Sequence, residues 1–93
     1  MKESSIEQGV VKYAKEKGFL AYKFTSPSNR GVPDRIFIKN GKLFFIEFKT
    51  PGKKLSKFQE QVIKKLYLEG FKTYLVSNIA HGKNLINYYD ELL

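Results

Sequence analysis

Cysteine is absent from the 93 residues, which excludes a disulfide framework, a thiolate zinc site and a cysteine nucleophile. Histidine occurs once, at His81, so a histidine metal cluster is excluded and a serine-histidine triad is poorly served. No apolar run approaches the roughly 20 residues that cross a bilayer. Met1-Lys2-Glu3-Ser4-Ser5 leads into polar residues, not into a signal-type apolar stretch. These absences lead us to expect a soluble, intracellular chain with no membrane partner. Acidic residues are also scarce, nine against seventeen basic ones, for a formal net charge of +8. A surface of that sign seeks polyanions. Arginine is the rarer cation, limited to Arg30 and Arg35, and both bracket Asp34.

What is present suffices for one core. Hydrophobic residues make up 42% and aromatics 15%, too many for wholesale disorder. Length scaling gives a radius of gyration of about 12 Å for a single domain over residues 1–93. So small a domain gains from a partner subunit.

Hydropathy patterning orders the elements. Ser4 or Ser5 caps a first helix with Glu7 or Gln8 three residues on, and Ile6, Val10, Tyr13 and Ala14 recur along it until Gly18. Phe19 to Phe24 reads as a strand and Ser26 to Pro33 as a loop. Asn40-Gly41 separates two apolar runs, Ile36-Phe37-Ile38 and Leu43 to Lys49, the strongest short hairpin signal. Ser56 opens a second helix with Gln59 at its capping-box position and Phe58, Val62 and Leu66 on one face; Gly70 closes it. Phe71 to Ser77 reads as a fourth strand. After a break at Ala80-His81-Gly82, which puts His81 in a surface loop, Leu85, Ile86, Tyr89 and Leu92 suggest a terminal helix over 84–93. The order α-β-β-β-α-β-α implies an α/β sandwich around a mixed sheet, closed by a right-handed crossover between two parallel strands.

Within the most apolar run, Glu47 and Lys49 share one strand face while Phe44, Ile46 and Phe48 take the other. A turn at Asn40-Gly41 sets Lys39 opposite Lys42, and the same register carries Asp34 to a place opposite Glu47. Two carboxylates there repel each other. One reading is a surface ion cluster neutralised by Lys49 and Arg35. The other is a site for Mg²⁺ or Mn²⁺, a hard cation that converts the repulsion into coordination. Such a cation beside Lys49 suits phosphodiester hydrolysis.

Pro33-Asp34 followed by Glu47-Phe48-Lys49 resembles the Pro-Asp…(Asp/Glu)-x-Lys pattern of the PD-(D/E)XK nucleases, which share this element order. Gly31-Val32-Pro33-Asp34, Ile46-Glu47-Phe48-Lys49 and Leu55-Ser56-Lys57-Phe58-Gln59 more narrowly resemble VRR-NUC domains over nearly the whole chain. The resemblance implies that Asp34, Glu47 and the Phe48 carbonyl bind Mg²⁺ or Mn²⁺ and that Lys49 orients water or offsets phosphate charge. It also places the family's first-helix glutamate on Glu7, with Glu3 as its substitute, and the family's glutamine on Gln59. Helix capping accounts for Glu7 and Gln59 as well. Arg30 and Arg35 then clamp phosphate, and Lys53, Lys54 and Lys57 add a basic stripe at a helix N-terminus. The implied activity is a metal-dependent DNA endonuclease, in a bacterial or phage-infected cell, acting on branched DNA such as a four-way junction. Symmetric cutting of a junction needs a homodimer, for which the terminal helix is the candidate surface. A flap-cutting or less specific nuclease of the same superfamily, and a non-catalytic basic module that binds nucleic acid through lysines, are the alternatives.

Overall fold

A computed structural model describes residues 1–92. Leu93, the last residue of the expected terminal helix, lies outside the described residues. The elements follow in the order α1 (Glu3–Glu16), β1 (Leu20–Lys23), β2 (Arg35–Lys39), β3 (Lys42–Phe48), α2 (Lys57–Leu68), β4 (Thr73–Val76) and α3 (Ile79–Glu91). They form a four-stranded mixed sheet in the order β1-β2-β3-β4, antiparallel except between β3 and β4. The radius of gyration is 12.6 Å.

The hairpin has the register that its turn dictates. Asn40 (φ 48°) and Gly41 (φ 77°) both take the left-handed conformation of a type I′ turn. Lys39 then pairs with Lys42, and the ladder runs to Arg35 against Ile46. Phe44, Ile46 and Phe48 all face the main core and are fully buried. They meet Ile6, Val10 and Ala14 of α1 and Ile86 of α3. Phe37 stacks on Phe44 at 5.2 Å and Tyr89 covers Phe44 at 4.0 Å. Tyr89 exchanges a 2.6 Å hydrogen bond with the hydroxyl of Tyr74.

The opposite face is thinly covered. Phe45 is buried there beneath Phe24, whose ring stacks 5.3 Å away. Helix α2 lies against β4 but buries none of its residues fully; Phe58, on its expected apolar face, stays 51% exposed. Leu20 and Tyr22 of β1 are also open to solvent. The sheet is therefore flanked on both faces, with its deep core on the α1/α3 side.

Several ends differ from the sequence reading. Helix α1 starts at Glu3, with Lys2 as its cap and no side-chain cap bond, so neither Ser4 nor Ser5 closes a capping box. That frees Glu7 for tertiary pairing. Strands β1 and β4 are shorter than their apolar runs at both ends. Helix α3 begins before the expected break, because the Asn78 side chain accepts from the His81 amide and caps it. His81 is thus an exposed residue of the helix's first turn, not of a loop. Gly82 belongs there because α1 crosses at that point: a Cβ on Gly82 would fall inside Val10.

That crossing gives a stability prediction. Gly82→Ala gains about 1 kcal/mol of helix propensity but overpacks a stiff β-branched neighbour, at about 1–3 kcal/mol. Chemical denaturation should show net destabilisation, and adding Val10→Ala should return part of it.

Candidate active site

Asp34 sits one residue before β2 and is pinned on both sides. Its carbonyl accepts from the Phe24 amide at 3.0 Å, and its Oδ2 accepts from the Phe48 amide at 2.8 Å. The carboxyl therefore reaches across to the end of β3, beside Glu47. Glu47 is a buried charge, only 3% exposed, and is the sole charged member of the buried set. Its Oε2 accepts from Gln59 Nε2 at 2.9 Å and lies 3.7 Å from Lys49 Nζ. Lys49 is positioned in turn by its amide, which donates to the Val76 carbonyl at 3.0 Å.

Gln59 does two things with one amide group. Ser56 and Gln59 form a complete capping box, with the Gln59 amide N–H on Ser56 Oγ and the Ser56 N–H on Gln59 Oε1. Holding Oε1 on the helix cap turns the NH₂ toward Glu47. Capping and site-building are one geometry here, not alternatives.

The Asp34 loop is docked on the same helix turn. Gly31 (φ 88°) lies against the Phe58 carbonyl and the Gln59 amide so closely that any Cβ would collide with that backbone. Arg30 stacks its guanidinium over the Phe58 ring, 5.5 Å from the centroid. The sequence pointed to Gly31 only through its motif, since contact with a helix sixty per cent of the way along the chain leaves no local signal.

Arg35 of β2 and Glu7 of α1 pair with each other beside this site. Arg35 Nε donates to Glu7 Oε2 at 2.6 Å, with Lys23 Nζ at 3.7 Å from the same oxygen. One turn earlier, Glu3 adds negative charge that acts on both Asp34 and Glu47, whereas Glu7 acts on Asp34. Lys53, Lys54 and Lys57 are all exposed at and before the N-terminus of α2.

The electrostatics mark the carboxylate pair as under-neutralised. Burial pushes Glu47 up to about 7, helped by repulsion from Asp34 and opposed by Lys49. Asp34 is also raised, by burial first, against the lowering effect of the Phe48 amide. Two carboxyls that resist ionising together, both offering hard oxygens, fit a small divalent cation. Among the described residues no three Asp, Glu or His side chains gather as a ready cluster. Asp34, Glu47 and the adjacent Phe48 carbonyl are the groups that could hold such a cation, with water completing its shell.

This element and sheet order, with an Asp and a Glu side by side at the ends of the central strands β2 and β3 and a lysine two residues on, matches the PD-(D/E)XK nuclease-like core that the sequence resembles. No family model matches the chain. The chain is 38% identical over 79 residues to "Putative nuclease p44" of Acyrthosiphon pisum secondary endosymbiont phage 1, covering 84% of this chain and 85% of that protein. A solved structure titled "VRR_NUC domain" superposes with a TM-score of 0.84 and 20% identity, over 94% of this chain and 96% of that one. The chain belongs to the same family as that phage nuclease and has the fold of a VRR-NUC domain. No helix among the described residues is long and apolar enough to cross a membrane.

Two measurements test the electrostatics. Folding raises the Glu47 pKa, so between pH 4.5 and about 7 the folded chain retains a proton that the unfolded chain has released. Stability of the metal-free protein should be greatest at the acid end of that window and fall as pH rises through about 7. Glu47→Gln should flatten the pH dependence of the unfolding midpoint. In Gln59→Glu the cap survives, because a carboxylate oxygen still accepts from Ser56, but the donor to Glu47 becomes an acceptor. Losing a hydrogen bond to a charged group, about 1.5–3 kcal/mol, should slow cleavage by roughly tenfold to a hundredfold with the helix intact by circular dichroism.

Proposed function

We propose that the protein is a Mg²⁺- or Mn²⁺-dependent DNA endonuclease that hydrolyses phosphodiester bonds in branched DNA, acting on four-way junctions as a homodimer. The observation that carries the reading is the mutually repelling pair of half-buried Asp34 and buried Glu47, with Lys49 3.7 Å from Glu47. A pure lysine-based binder has no reason to set two half-neutralised carboxylates at the surface that meets phosphate.

In this reading Asp34, Glu47 and the Phe48 carbonyl hold the cation. When bound, it polarises the phosphate and makes water a better nucleophile. Gln59 keeps Glu47 in one orientation, so the acid does not swing out when the cation leaves. Lys49 offsets charge growing on the phosphate oxygens as a compact cation. Of the first-helix carboxylates, Glu7 acts on Asp34 ahead of Glu3 while Arg35 and Lys23 hold it in place, and Glu3 acts on both Asp34 and Glu47. Arg30 and the lysines Lys53, Lys54 and Lys57 line the approach, with the α2 N-terminus behind the lysines. Arg35 keeps its outer nitrogens for phosphate while Glu7 fixes its Nε.

Pairing of two copies gains support from exposed apolar side chains. Among the described residues they are richer on α2, β4 and the turn between them, at Tyr67, Leu68, Phe71 and Leu75, than at α3, where Tyr88 and the C-cap Leu92 are exposed. Between α2 and β4 lies a groove of about 440 Å³ that includes Leu55, Ile63 and Tyr67.

The test is cleavage of matched linear duplex, flap and four-way junction DNA with Mg²⁺ or with EDTA, alongside sedimentation. Cutting should need the cation, favour the junction, and vanish in Asp34→Ala with folding retained. Glu7→Gln and Glu3→Gln should each slow it. Full activity of Asp34→Ala, or cutting in EDTA, overturns the mechanism; a monomer with no junction preference overturns the substrate assignment.

A further inference from the structure

A second cationic feature lies on the other side of Arg35, outside the carboxylate site. A groove of about 560 Å³ is lined by Gln8, Val11, Lys12, Lys15, Glu16 and Arg35. Gln8, Lys12 and Lys15 follow one another at spacings of four and three along α1, so they form a single stripe. Val11, 7% exposed, belongs to the floor. Lys12 and Lys15 are exposed, and among the described residues neither pairs with a carboxylate. Arg35 is different in kind: its side chain is 17% exposed and its Nε is fixed by Glu7.

Three cations thus share one groove with a single carboxylate, Glu16, at its far end. Arg35 is paired with Glu7, but Lys12 and Lys15 have no carboxylate partner among the described residues in the free protein, and a polyanion supplies one. The Arg35 end of the groove lies near the reaction site, since Glu7, which holds Arg35 Nε at 2.6 Å, also acts on the Asp34 carboxyl. From Gln8 to Lys15 it follows about 10 Å of helix. That is the axial length of about three base pairs of DNA.

We propose that this groove is a DNA-backbone track, in which Arg35, Lys12 and Lys15 take successive phosphates of the duplex arm leaving the carboxylate site along α1. The proposal rests on DNA being the substrate. Glu7 is then a positioning residue: it holds the guanidinium at the junction of site and track. The track directs one arm along α1, while the lysines before α2 meet DNA on the other side of Glu47. A branched substrate offers two arms to meet these two surfaces.

Binding separates this proposal from the catalytic one because it needs no cation and no turnover. A fluorescent duplex is titrated by anisotropy in EDTA over a series of salt concentrations, with wild type, Lys12→Gln/Lys15→Gln and Lys42→Gln/Lys72→Gln. The last pair removes the same charge from the opposite end of the sheet, at the hairpin turn and beside β4. Each lost phosphate contact lowers the slope of log affinity against log salt by about 0.9. The track variant should therefore lose about 1.8 of slope and the control almost none, with unchanged unfolding midpoints. An unchanged slope in the track variant, or an equal fall in the control, overturns the track while leaving the cleavage site standing. Absence of salt-dependent duplex binding by the wild type overturns both.

Discussion

A two-residue turn in which both residues hold positive φ permits one pairing of the strands on either side of it, and the site depends on that pairing. With Lys39 against Lys42, side chains alternate so that Phe44, Ile46 and Phe48 enter the core while Glu47 faces the other way. A slip of one residue would exchange those faces, putting Glu47 among α1 and α3 and the phenylalanines into water. The hydrophobic cost of that exchange is what holds two repelling carboxylates at one sheet edge. Folding energy from the core is thereby spent on a local electrostatic arrangement that no local interaction favours.

The arrangement is then made rigid by hydrogen bonds that belong to secondary structure as much as to the site. Asp34 takes the amide that closes the end of β3, and Gln59 reaches Glu47 from a capping box. Gly31 lets the Asp34 loop lie on the backbone of the same helix turn. Loop, strand end and helix start are thus one unit, although α2 contributes no fully buried side chain. Its attachment through the site and β4 is enough because the deep core lies on the other face.

Charge is organised around that unit with opposite signs on different elements. Four of the nine carboxylates, Glu3, Glu7, Asp34 and Glu47, gather at the ends of β2 and β3 and the start of α1, while lysines occupy the exposed stripe of α1 and the approach to α2. Arg35 sits at the boundary, tied to Glu7, and so belongs to both fields. The +8 of the whole chain is an average over these two regions. A phosphate attracted by the net charge meets its acidic partners only where the hairpin ends.

Much of this was legible in the sequence because it rests on short-range rules. Element order, the Asn40-Gly41 register, the Ser56–Gln59 capping box and the pairing of Asp34 with Glu47 each follow from residues a few positions apart or from counting across one tight turn. The misplaced features are those settled by distant contacts. Ser4 lost its capping box as the helix started earlier, and His81 joined a helix whose Gly82 must pass Val10; the bond from Arg35 to Glu7, twenty-eight residues away, likewise had no local signal. Local spacing fixes which backbone conformations and faces are cheap, so the sequence by itself determined the hairpin and its acidic edge. Which carboxylate a given cation meets depends on how separate elements pack, and only the tertiary structure decided that.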